Sequence, residues 1–133
     1  MADVVDSQVM VNNPRKYVVR LTNVSDGTGE SLVVKVDRST LTNSKGTEPG
    51  ALLIRSVQWS INGFSSVRFY WDAATDDEAL MLATGNGYMD FTEFGGGLQD
   101  PLSATNVGDL LLTTAGNTSG ATYTIVLELI KGN

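Results

Sequence analysis

The carboxylates are the first place to look for chemistry in this chain. Asp72, Asp76, Asp77 and Glu78 crowd together, and Asp90 and Glu93 form a looser pair. Clustered carboxylates can hold calcium or serve as the acid and base of a glycosidase. The first cluster lacks the glycine an EF-hand loop requires, and a solvated turn that ends a strand is the plainer reading of both groups. Histidine and cysteine are absent. That removes the common nucleophile–base pairs, the usual zinc sites, disulfides and thiolate chemistry. The residue types therefore point away from an enzyme, and no metal or cofactor site is read from them. Trp59, Tyr70 and Trp71 could line a sugar-binding face. Strand alternation sends Trp59 and Trp71 inward and Tyr70 outward. Tyr70, Asp76 and Asp77 are thus the candidate ligand residues, joined by Tyr88 and Phe91 if these line an open groove. The 14 glycines make neither a dinucleotide-binding fingerprint nor a P-loop. Gly85-Asn86-Gly87 and the run Gly95-Gly96-Gly97 read as turns.

These residues must be positioned by a small scaffold. The 133 residues fit one domain, large enough for a single core without staples. The net charge of -6 argues against broad binding to nucleic-acid phosphates or anionic membranes, although a local basic patch is compatible with it. No apolar run approaches the roughly 20 residues of a membrane span. Met1 is followed by ADVVDSQ, without a basic or apolar leader, so the expectation is synthesis in a cytoplasm. Without a leader, the glycosylation-like triplets at Asn23 and Asn117 carry no weight.

The stretch from Leu52 to Asp72 carries both tryptophans and the turn signal Asn62-Gly63. It reads as a hairpin. A three-residue loop at Ile61-Asn62-Gly63 puts Leu53, Val57, Trp59 and Ile61 on the same face as Val67, Phe69 and Trp71, with Gly63 left-handed. A rival arrangement places the two strands in opposite sheets, joined by an arch. Arg55 interrupts the apolar parity and is expected near a sheet rim. Lys16–Asn23 and Ser31–Asp37 read as a hairpin with a longer loop, with Tyr17, Val19 and Leu21 on one face and Leu32, Val34 and Val36 on another. Residues 38–50 are a polar excursion. Short strands follow at 79–83, 88–94, 109–114 and 121–131, the last with Tyr123, Ile125, Leu127 and Leu129 on one face.

About eight short strands with regularly spaced turn signals indicate an all-β fold. The expected architecture is two antiparallel sheets in a jelly-roll-like sandwich, with an immunoglobulin-like topology second. Residues 1–15 are expected to be an N-terminal arm, and residues 16–133 a single β-sandwich domain. Outward apolar residues such as Val18, Val33, Val126 and Ile130 suggest a second face covered by a partner.

The runs YVVRLTNVSDGTGES (17–31), VVKVDRSTL (33–41), QWSINGFSSVRFYWDA (58–73) and SGATYTIVLELIK (119–131) resemble a family of small virion structural proteins of tailed bacteriophages. The resemblance spans most of residues 16–131. In size and type the chain is similar to capsid cement or decoration proteins. The resemblance implies a virion component made in the host cytoplasm. It would sit on the outer surface of the head, bind the major capsid protein and form a homo-oligomer, either trimer or dimer. No nucleic-acid or membrane partner is expected. Two alternatives fit the composition: a carbohydrate-binding module on a phage head or tail fibre, and a head–tail joining or tail subunit.

Overall fold

A computed structural model describes residues 4–42, 45–46, 52–72, 77–91, 98–99, 109–116 and 118–131. The protein is all-β. Eight strands run in the order β1 (Val4–Asn12), β2 (Lys16–Asp26), β3 (Val33–Val36), β4 (Leu52–Trp71), β5 (Asp77–Asp90), β6 (Leu98–Gln99), β7 (Leu110–Ala115) and β8 (Ser119–Lys131). Among the described residues the one helical piece is a 3-10 turn at Arg38–Thr40. Every strand pairing is antiparallel, and the pairings join all eight strands into one curled sheet.

The curl is built on β4, and here the structure departs from the hairpin expectation. Leu52–Trp71 is one 20-residue strand, and no Asn62-Gly63 hairpin forms. Its first half pairs with β8 from Leu52↔Lys131 to Asn62↔Thr122. Its second half pairs with β7 from Ser66↔Ala115 to Trp71↔Leu110. Gly63 adopts φ 91° at the bend between the halves, a conformation that favours glycine. A Cβ there would run into Ala121. The rival arrangement put the two halves in opposite sheets joined by an arch; here both halves belong to the one curled sheet and differ in their partners. β5 follows β4 across the bend, with its register broken between Ile61 and Ser66.

Gly85-Asn86-Gly87 accordingly lies inside β5 and is no turn. Gly87 sits opposite Trp59, and a Cβ on it would collide with the indole ring. The glycine is therefore a seat for the tryptophan, which packs half-buried against the core.

The parity breaks in the sequence are bulges. β4 shifts register between Ile54 and Ser56, which moves the buried set from Leu52 and Ile54 to Val57 and Ile61 and leaves Arg55 out of the ladder. A second shift, in β3 between Val34 and Val36, turns Lys35 inward. Bulges re-aim side chains in this way. They explain why Arg55 fits neither face of a regular strand.

One core results. Trp71, Phe69, Leu82, Leu110 and Leu112 come from one half of the curl, and Leu21, Ile54, Tyr123, Ile125 and Leu127 from the other. The rings of Phe64 and Tyr123 meet with centroids 5.8 Å apart. The expected inward sets of β2 and β8 are buried as read. The expected β2–β3 hairpin does not form: β2 lies between β1 and β8, and β3 pairs with β7. Of the expected face Leu32, Val34 and Val36, only Val36 is buried. β3 is an edge strand, so most of its apolar side chains remain in water.

Candidate functional site

The candidate ligand residues do not form a pocket among the described residues. Tyr70 is half-buried on β4, opposite Leu111 and Glu78. Asp77 begins β5, its backbone paired with Trp71. Asp76 lies outside the described residues, as does Glu93. Tyr88 is exposed and pairs with Gln58, on the far side of the β4 bend from Tyr70. Its hydroxyl lies 3.5 Å from an Asp90 carboxylate oxygen. Phe91 packs half-buried against the core.

The carboxylates do converge at one end of the curl. The Asp109 Oδ1 accepts a hydrogen bond from the Arg38 amide at 2.9 Å. Burial raises the Asp109 pKa above the usual carboxylate value, and the charges of Asp37 and Asp72 push the same way. Among the described residues, however, no group of three or more carboxylates is placed to hold a metal ion.

A cationic depression of about 590 Å³ lies on the other part of the sheet. The β1–β2 turn contributes Asn13, Pro14, Arg15 and Lys16, the β4 bulge contributes Arg55, and β8 contributes Ile130. The turn is held by Asn13, whose Oδ1 accepts from the amides of Arg15 (3.0 Å) and Lys16 (2.8 Å). Glu128 partly neutralises the cations. Its carboxylate meets Lys16 Nζ at 2.7 Å and lies 3.7 Å from Arg55 Nε, and it accepts from Ser56 Oγ at 3.2 Å. The Lys16 contact is the main reason its pKa falls below the usual value. Arg15 has no ion pair among the described residues, so the depression keeps a net positive charge on an acidic protein. Nothing in the sequence pointed to this grouping. Arg15 and Arg55 are 40 positions apart, and the parity break at Arg55 was the one available signal.

A buried polar network holds the opposite end. Glu30 Oε1 accepts from Tyr123 Oη at 2.5 Å and Asn23 Nδ2 at 2.7 Å, and Glu30 Oε2 meets Lys35 Nζ at 2.5 Å. The Glu30 amide donates to Thr114 Oγ1 at 2.9 Å, and the Thr114 amide donates to the Glu30 carbonyl at 3.0 Å. Each member has a structural partner, so the network pins the 27–32 loop across the sheet rather than presenting groups to a ligand.

What remains uncovered is apolar and lies mainly at the rims. Val4, Val5, Val9, Met10 and Val11 on β1, and Leu32, Val33 and Val34 at β3, are all exposed. Leu32 also holds a positive φ of 49°, an unusual conformation for a branched side chain. No family model, curated protein or solved structure matches the chain.

Proposed function

We propose that the chain is a structural subunit of a tailed-phage particle, a cement or decoration protein bound to the outer surface of the capsid shell. The major capsid protein is its partner, and it acts as a homo-oligomer, a trimer or a dimer. The two halves of the curled sheet are read as the layers of a jelly-roll-like sandwich. The observation that carries this reading is where the unsatisfied surface lies. Apolar side chains are exposed along the edge strands β1 and β3, where they suit contact with neighbours. Among the described residues, by contrast, no group of three or more carboxylates is placed to hold a metal ion. The resemblance of residues 17–41, 58–73 and 119–131 to small phage virion proteins supports the same reading. So does the absence of histidine and cysteine.

Binding energy in such a role comes from modest contacts repeated by symmetry. The test is to add the purified protein to shells stripped of it. Co-sedimentation at a fixed stoichiometry, with a higher temperature for particle rupture, is the expected result. Free protein in the supernatant and unchanged rupture would contradict the proposal. A carbohydrate-binding role draws on one observation, the exposed Tyr88 beside Asp90. Saturable glycan binding abolished by Tyr88→Ala would favour that role instead.

A further inference from the structure

Among the described residues, the half of the curl that contains β1 is five strands wide, running β1, β2, β8, the first half of β4, and then the second half of β5 with the short β6 beside it on the same edge of β4, while the other half is four wide. β1 is the unmatched strand, and its side chains show it. Val5, Ser7 and Val9 pair with Asn23, Leu21 and Val19, so they lie on the face that is buried in β2. Cross-strand partners share a face. Yet Val5 and Val9 are 42% and 50% exposed. The inward face of the sheet runs one strand beyond its cover.

Among the described residues β1 pairs with β2 alone, and its outer backbone edge is unguarded. Natural edges are blunted by short length, bulges, charges or proline. β3 has only four residues and a bulge. β5, also at an edge among the described residues, carries Glu78 and Asp90 near its ends and is broken at the bend, so two antiparallel copies of it would set like charges together. β1 has nine residues with neither proline nor lysine, and its bulge, at Met10, lies near one end. Its single charge, Asp6, is met by Arg20 of its own chain at 3.5 Å.

We propose that β1 pairs antiparallel with β1 of a second copy, across a two-fold axis at Ser7. This register is self-complementary. Val5 falls opposite Val9 of the second copy on the inward face, and Ser7 opposite its equivalent. On the outward face Asp6 falls opposite Gln8, a carboxylate beside an amide donor, and no two like charges are opposed. The paired stretch from Val5 to Val9 stops short of the bulge. The same contact continues the sheet and gives the exposed valines apolar neighbours. It is an isologous interface, the kind that closes at two copies. The proposal rests on the reading of the protein as one that works by contact, and it names one of the contact surfaces.

Because the chain has no cysteine, single cysteine variants test the register cleanly. Residues directly opposed across an antiparallel pair have Cα atoms about 4.5–5.5 Å apart, inside the disulfide range of about 4.4–6.8 Å. Ser7→Cys is therefore expected to oxidise to a covalent dimer. In Gln8→Cys the two sulfurs are offset by two residues, which puts their Cα atoms roughly 8 Å apart, and that variant is expected to stay uncrosslinked. Sedimentation of the unmodified chain is expected to give twice the monomer mass, and Val5→Lys, at an exposed position, to return it to the monomer mass. A wild-type monomer at all concentrations, equal crosslinking of both cysteine variants, or a dimer that survives Val5→Lys would each overturn the proposal. Shell co-sedimentation separates the two claims. A monomer that binds shells removes the β1 pairing alone. A Ser7-crosslinked dimer that ignores shells removes the virion reading alone.

Discussion

Strands β8 and β1 flank the same neighbour, β2, and meet opposite fates. On β8 every second residue from Ala121 to Lys131 is buried. On β1 all nine residues are exposed, although Val5 and Val9 point to the same side as the β8 core residues. Both strands are rich in residues that favour strands. The difference is what faces them. β8 sits mid-sheet, with β2 on one side and β4 on the other, and its inward side chains meet the other half of the curl in one core. Among the described residues β1 has a neighbour on one edge only. Alternation tells which side a residue takes; only the arrangement of the remaining strands tells whether that side is dry.

The contrast is broken most directly by truncation. Leu127→Ala on β8 is expected to cost about 2–5 kcal/mol in urea unfolding, whereas Val9→Ala on β1 should stay within about 0.5 kcal/mol in dilute solution. Similar costs at the two positions would mean that β1 is part of the core. The buried Glu30–Lys35 pair comes next. Lys35→Met leaves a carboxylate buried without its cation and is expected to lose about 3 kcal/mol. Glu30→Gln added to Lys35→Met should recover much of that loss, and a double variant as weak as the single would contradict the pairing. Gly87→Val drives a side chain into the Trp59 ring, for about 1–3 kcal/mol. The tryptophan near-ultraviolet circular dichroism should change with it.

The smallest effects are electrostatic and have opposite signs. Glu128 has a lowered pKa, so its contribution to stability is present above the ordinary carboxylate pKa and fades as pH falls through the lowered value. Asp109 has a raised pKa. Its ionised form costs stability at neutral pH, and the cost vanishes on acidification. Glu128→Gln should therefore be slightly destabilising at neutral pH and Asp109→Asn slightly stabilising, each within about 1 kcal/mol. Both differences should shrink in acid. Unfolding curves of the two variants at neutral and acidic pH check this.

The strand content, the inward faces of β2 and β8, and the burial of Trp71 were legible because strict alternation marks a half-buried strand. The path of β4 was not. Asn62-Gly63 is a strong hairpin signal, but here the glycine bends a continuous strand whose halves pair with β8 and β7, partners far along the chain that no local pattern reveals. Gly85-Asn86-Gly87 misled for a related reason, since a glycine under a cross-strand tryptophan has the same composition as a turn. Of the candidate ligand residues, Tyr70 is half-buried between the buried Phe69 and Trp71. The cationic depression around Arg15, Lys16 and Arg55 is assembled from three distant segments, and no spacing rule reports such a meeting.

The proposed role is a grip on neighbouring subunits of a capsid. A reconstruction of the intact particle at a resolution that shows strands tests it most directly. The account requires symmetric copies of the curled sheet on the outer shell, with β1 and the β3 edge in contact with neighbours. A single ring at the head–tail junction, or particles without the chain, would contradict it.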